Sequence, residues 1–150
     1  MNLYNVLLFV HVLAATAWIG GGGVLLLMAM RLRQSAAETA TFARLLPFIG
    51  IRLLMPAVVL LPVTGIWMVL DDSEWSFDQA WVRIALGLFV IAFAVGAIYL
   101  SRVGIAMARA AAAAAGELPR LVTRWMTGYA VVLVALLLVV ADMVFKPGAS

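Results

Sequence analysis

The sequence predicts an all-α membrane protein, a four-transmembrane-helix bundle, and three observations carry that expectation. Of the 150 residues, 67% are hydrophobic and 11% are charged, whereas a soluble domain is about half apolar and roughly a quarter charged. The apolar residues gather in four runs, about 3–30, 48–70, 81–104 and 121–145, each longer than the ~18 residues that mark a spanning helix. The arginines flank these runs, where membrane topology places them. The length suits one domain, so residues 1–150 read as a single four-helix transmembrane domain.

The first run opens on Met1-Asn-Leu-Tyr-Asn5, which bears no side-chain charge, and continues well past the small residues Ala15-Thr-Ala17. It reads as a retained helix rather than a cleaved signal peptide. Ser35-Ala-Ala-Glu38 fits a capping box, predicting a short interfacial helix through about Leu46. The second run contains Pro56 and Pro62; prolines remove backbone donors, so a kinked helix is expected. An acidic loop, Asp71 to Asp78 with Trp75 inside it, leads to the third run near Trp81. That helix is expected to continue through the alanine run Ala110–Ala115 and stop at Gly116 and Pro119. The fourth run ends in the short tail that starts at Lys146.

Charge placement predicts the orientation. Arg31, Arg33, Arg44 and Arg52 flank the first connection, and Arg102, Arg109, Arg120 and Arg124 flank the third; Arg83 and Lys146 alone lie at the other end. Eight basic residues against two put the first and third connections in the cytoplasm. Both termini are then external, on the periplasmic side of a bacterial cytoplasmic (inner) membrane. The net charge of +3 is accounted for by topology, so nucleic acid is not an expected partner; the lipid bilayer is. Cysteine is absent, which excludes disulfides, thiolate metal sites and cysteine nucleophiles. No nucleophile–base pair, phosphate loop or paired intramembrane carboxylates are visible, and no convincing internal repeat suggests a transporter.

At 100° per residue, Tyr4, His11, Ala15, Trp18, Gly22 and Ala29 share one stripe of the first helix. Arg83, Gly87, Val90, Ala94, Ala97, Ser101 and Ala108 do so on the third; Arg124, Gly128, Val131, Ala135, Leu138 and Asp142 on the fourth. Small residues let membrane helices approach, and polar groups avoid lipid, so these stripes are expected to face inward. The outer half of the bundle would then gather His11, Arg83, Asp142, Met68 and Met143. Ala92, Gly96 and Gly104 form a small-residue surface suited to a homodimer or another membrane protein.

His11 is the only histidine, and it lies in the middle of an apolar span, an expensive place for an ionisable group. Imidazole ligates haem iron or copper, and thioether sulfur from Met68 or Met143 would be a second, soft ligand. Gly22 and its neighbours would let a flat macrocycle lie against backbone, with Trp18 lining the site. Arg83 would clamp carboxylates such as haem propionates. The plainer expectations are an interhelical hydrogen bond for His11, packing for the methionines, and an Asp142–Lys146 pair one turn apart.

The pattern His11-x6-Trp18-x-Gly-Gly, with Thr64-Gly65 in the second span and Trp81 opening the third, resembles a bacterial family of integral membrane proteins of unknown function related to copper-resistance protein D. The order of elements is further similar to the HemJ-type protoporphyrinogen oxidase, a small haem-binding membrane protein. The resemblance implies haem ligation by His11 and places Arg83 near that family's lysine. This chain has no second histidine, and arginine does not readily lose its proton. Bis-histidine ligation within one chain is thus excluded, and HemJ-like oxidase activity is not expected. The expected function is a haem b or redox-associated role through His11. The alternatives are copper binding, transport or tolerance, and a non-catalytic subunit docking to a larger complex.

Overall fold

The computed structural model describes residues 2–148. Four helices are long and apolar enough to cross a membrane: α1 Leu3–Leu32, α2 Ala36–Asp71, α3 Ala80–Ala112 and α4 Leu118–Phe145. No strand occurs among the described residues, as expected in lipid, where only helices and closed barrels satisfy every backbone polar group. The first and third connections share one arginine-rich end of the bundle; the acidic loop and the two ends of the chain lie at the other.

The connection from α1 to α2 is short because Thr39 serves both helices. Its hydroxyl lies 2.9 Å from the Leu32 carbonyl at the end of α1 and 2.7 Å from that of Ser35. Ser35 accepts from the Glu38 N–H, while its own N–H bonds the Leu32 carbonyl, so the serine half of the expected capping box forms. The helix it starts does not stop near Leu46, however. The interfacial helix and the second span are one continuous helix, although Pro47, Pro56 and Pro62 all lie in it. A π-type stretch, Gly50–Leu54, precedes Pro56, and the Met55 N–H reaches back five residues to the Gly50 carbonyl. The wider turn changes the hydrogen-bond register where a missing proline donor would otherwise leave a carbonyl free. A second π-type stretch, Ala94–Leu100, interrupts α3.

At the arginine-rich end α3 stops at Ala112, short of the expected Ala115. Ala114 adopts φ 50°, and the Ala115 N–H bonds the Ala110 carbonyl at 2.9 Å, closing a Schellman-type turn. The left-handed position falls on alanine, two residues before Gly116.

α1 packs along the Met55–Asp71 half of α2, while the Ala36–Ile49 half of α2 leans on Ser101–Ala112 of α3. α4 packs on α3 along its length and on α1. The core centres on Trp18, 1% exposed, with Met107 and Val132 also fully enclosed. Trp18 meets Phe89 edge-on at 6.1 Å, and the Tyr129 hydroxyl donates to the Trp18 carbonyl at 3.4 Å. Many large apolar side chains stay exposed, among them Phe9, Leu27, Ile51, Val90 and Phe145. In a spanning bundle these face acyl chains, so they are no aggregation patch.

The inward stripe of α1 is as expected: Trp18, Gly22 and Ala29 are buried, and Tyr4, His11 and Ala15 are half-buried. Those of α3 and α4 are not. Arg83, Gly87, Val90 and Ser101 are exposed, and α3 turns Trp81, Ala85, Ala92, Leu100 and Met107 inward. On α4, Gly128, Ala135 and Asp142 are buried as expected, but Arg124, Val131 and Leu138 are exposed, and Trp125, Tyr129 and Val132 face the core. A helix end lets arginine reach interfacial water, so it need not point inward. Large side chains then fill the core by contact area. The small residues expected to serve a dimer are used internally. Ala92 is fully buried, Gly96 lies against Trp18 and Val132, and Gly104 lies against Leu46.

Three substitutions test this structure through thermal unfolding in detergent. A Cβ at Gly22 would collide with the Tyr129 ring and hydroxyl, so Gly22→Ala is expected to destabilise by about 1–3 kcal/mol. Gly20→Ala, which meets open space, should be neutral or gain about 0.5–1 kcal/mol. Ala114→Gly relieves a left-handed alanine and should stabilise by about 1 kcal/mol.

Candidate functional site

His11 sits on α1 where the helix faces the Met55–Asp71 half of α2. Its Nδ1 lies 2.9 Å from the Thr64 hydroxyl oxygen. That hydroxyl has one proton, directed at the Leu60 carbonyl at 2.7 Å, with Leu61's at 3.3 Å. A buried threonine in a helix commonly bonds back to the preceding turn. With its proton on the Leu60 carbonyl, Thr64 accepts from the imidazole, the arrangement that goes with a hydrogen on Nδ1. The lone pair is then on Nε2.

Gly65 completes the seat. A Cβ there would stand 3.1 Å from Cε1 of His11 and 3.5 Å from Nδ1, so any larger residue would push the ring away. Thr64 thus fixes the tautomer and Gly65 the depth of the imidazole, which remains half-buried. Neither residue was singled out as a site residue from sequence. The available signal was a Thr-Gly pair inside an apolar run, which has meaning only once a partner helix presents a polar ring to it.

The other expected site residues lie as follows. Met68 is one turn from Thr64 on α2 and is half-buried, as is Met143 near the end of α4. Arg83 is exposed at the start of α3. Trp18 is in the core, two turns along α1 from His11. Gly22 is no cradle for a macrocycle, because Tyr129 fills the space against it. Among the described residues no three His, Cys, Asp or Glu side chains are grouped to hold a metal ion.

Asp142 is 8% exposed, and its Oδ2 has no hydrogen-bond partner. The expected pair with Lys146 does not form. Lys146 takes a left-handed conformation, φ 43°, as its N–H bonds the Asp142 carbonyl at 2.8 Å. This cap turns its side chain away from α4. The Lys146 ammonium stands 3.6 Å from the centre of the Trp75 ring and 5.7 Å from that of Trp81, which themselves meet edge-on at 4.6 Å. The tail is therefore held to the acidic loop and the start of α3 by a cation–π contact.

A family model described as Predicted integral membrane protein (DUF2269) matches residues 5–147. No curated protein and no solved structure matches the chain.

Two measurements check the site. Nitrogen-15 spectra of labelled histidine should show the Nδ1–H tautomer, and Thr64→Val should abolish its protection; a double-mutant cycle with His11→Phe is expected to give about 0.6 kcal/mol, the usual size of an interhelical hydrogen bond in lipid. Nearer the acidic loop, Asp142→Asn removes a buried, unpaired carboxylate and should leave the unfolding temperature unchanged or raised. Lys146→Gln should lower it by the equivalent of about 0.5–1 kcal/mol.

Proposed function

The chain belongs to the DUF2269 family of predicted integral membrane proteins, and we propose that it is a redox-associated membrane subunit in which His11 Nε2 is the one imidazole ligand for haem b. The observation that carries this reading is the 2.9 Å hydrogen bond between Nδ1 of His11 and the Thr64 hydroxyl. A ligating histidine usually donates its other ring N–H to a fixed acceptor, which sets the tautomer and raises ligand basicity. His11 has that arrangement inside a span, with its ring only half covered. The resemblance of the first span to the HemJ-type and copper-resistance protein D families supports the same choice of residue.

The donor set limits how such a group would be held. One histidine per chain supplies one imidazole nitrogen; Met68, one turn from Thr64, or a residue of a second chain would help hold the group. With Gly22 covered by Tyr129, the macrocycle would lie outside the α1–α4 seam, along the exposed side of His11. Haem would supply one-electron chemistry, its potential tuned by the Thr64 bond and by burial. Arg83, exposed at the start of α3, would serve propionates only from the bundle surface. Copper is the second reading, favoured by the placement of Met68: Cu(I) accepts a soft thioether with an imidazole.

The test is a reduced-minus-oxidised visible spectrum of detergent-purified protein beside His11→Ala and Thr64→Val. A Soret and α-band signal is expected, lost in His11→Ala and weakened about 10- to 100-fold in affinity by Thr64→Val. A featureless spectrum from well-folded protein grown with haem supplied overturns the haem reading. Copper content that rises with copper supply and falls in Met68→Leu would then support the second.

A further inference from the structure

A cleft of about 140 Å³ opens sideways between α2 and α3, away from His11. Its floor is aromatic, formed by Trp18, Trp125 and Tyr129. Its walls are low because Gly50 and Gly104 line them, and both π-type stretches border it, Gly50–Leu54 on α2 and Ala94–Leu100 on α3. Along α3, at the arginine-rich end, a second pocket is lined by Arg102 and Arg109 with a single acid, Glu117. Ile105 lines both, so the apolar cleft and the basic pocket adjoin across that side chain.

We infer that this joined surface binds one anionic phospholipid of the surrounding bilayer, with an acyl chain in the α2–α3 cleft and the phosphate on Arg102 and Arg109. The two arginines are seven residues apart, two turns on one face of α3, about 10.5 Å along the axis. They lie where the third apolar run ends, at headgroup depth. Arginine pairs with phosphate through two parallel N–H bonds, and clustered basic residues at the interface attract anionic headgroups; here one face of α3 and Glu117 of the following connection supply the pocket. A second helix is a poorer occupant: packing it here would bury two arginines against one acid, and buried unpaired charge is costly. A hydrocarbon chain needs only a narrow apolar channel, which the gap between α2 and α3 beside Ile51, Met55, Ala97 and Ile105 provides.

The experiment is native mass spectrometry of the purified full chain, delipidated and then equilibrated with mixed micelles containing equal phosphatidylglycerol and phosphatidylcholine. One phosphatidylglycerol is expected to remain bound in preference to phosphatidylcholine. Each arginine near a headgroup contributes about fivefold in affinity, so R102Q/R109Q should weaken retention on the order of 30-fold. S101L, which places a large side chain in the cleft, should also weaken retention, while R31Q, at the same end of the bundle but hydrogen-bonded to Gln34, should not. Circular dichroism and elution volume verify the fold of each variant. A large excess of inorganic phosphate should fail to displace the lipid. Equal retention of phosphatidylcholine overturns the inference, as does an equal loss in R31Q, which would mark general surface charge. Displacement by phosphate alone, with S101L unaffected, overturns the lipid and leaves an anion site. No retained lipid, with a dimer that dissociates in R102Q/R109Q, overturns it in favour of a second copy of the chain.

Discussion

The close approach of α4 to α1 at Gly22 is the contact on which the rest of the bundle depends. Lipid tails are as apolar as leucine, so spanning helices gain little from excluding water and associate through contact area and a few polar bonds. Tyr129 lies where a Cβ on Gly22 would be, and its hydroxyl reaches the Trp18 carbonyl. That bond gives the phenol a partner in a region without water. Trp18 is thereby fixed in the centre, where it touches Phe89 and abuts Gly96 of α3. One glycine and two aromatic rings bring three of the four helices into register.

The fourth helix, α2, is joined differently. Its Met55–Asp71 half follows α1 and its Ala36–Ile49 half follows α3, so it crosses from one neighbour to the other over the π-type stretch Gly50–Leu54. This crossing has two consequences. Near the acidic end it presses Thr64 and Gly65 onto His11, making an oriented imidazole. Towards the arginine-rich end it departs from α1 and leaves the α2–α3 cleft open to the bilayer. The histidine seat and the cleft are thus two results of one helix path, at different depths and lined by different residues.

Much of the fold was legible in sequence because hydrophobic length is a direct consequence of bilayer thickness. The four spans, the Ser35 cap and the α1 stripe follow from residue type and period alone. The α3 and α4 stripes depart from the small and charged residues because side-chain size decides which face is buried. An arginine at a helix end can reach interfacial water, and a large residue makes more contacts in the core than a small one. Of the candidate site, His11 was visible by its rarity. Thr64 and Gly65 were not, since a threonine back-bonded to its own helix looks the same in sequence whether or not a ring lies against it.

Taken alone, the sequence determined that the chain spans a membrane four times, where each span lies, and which single imidazole is placed in lipid. These depend on local quantities: the apolar count per turn, the caps, and the residues that break or charge a helix. Tertiary structure alone decided that Tyr129 covers Gly22, that Lys146 turns to Trp75 rather than to Asp142, and that the Thr64 hydroxyl meets Nδ1 of His11. Each of these depends on the distance between groups on different elements. In a bundle held by contact and a few hydrogen bonds, those distances are set by how all four helices pack together.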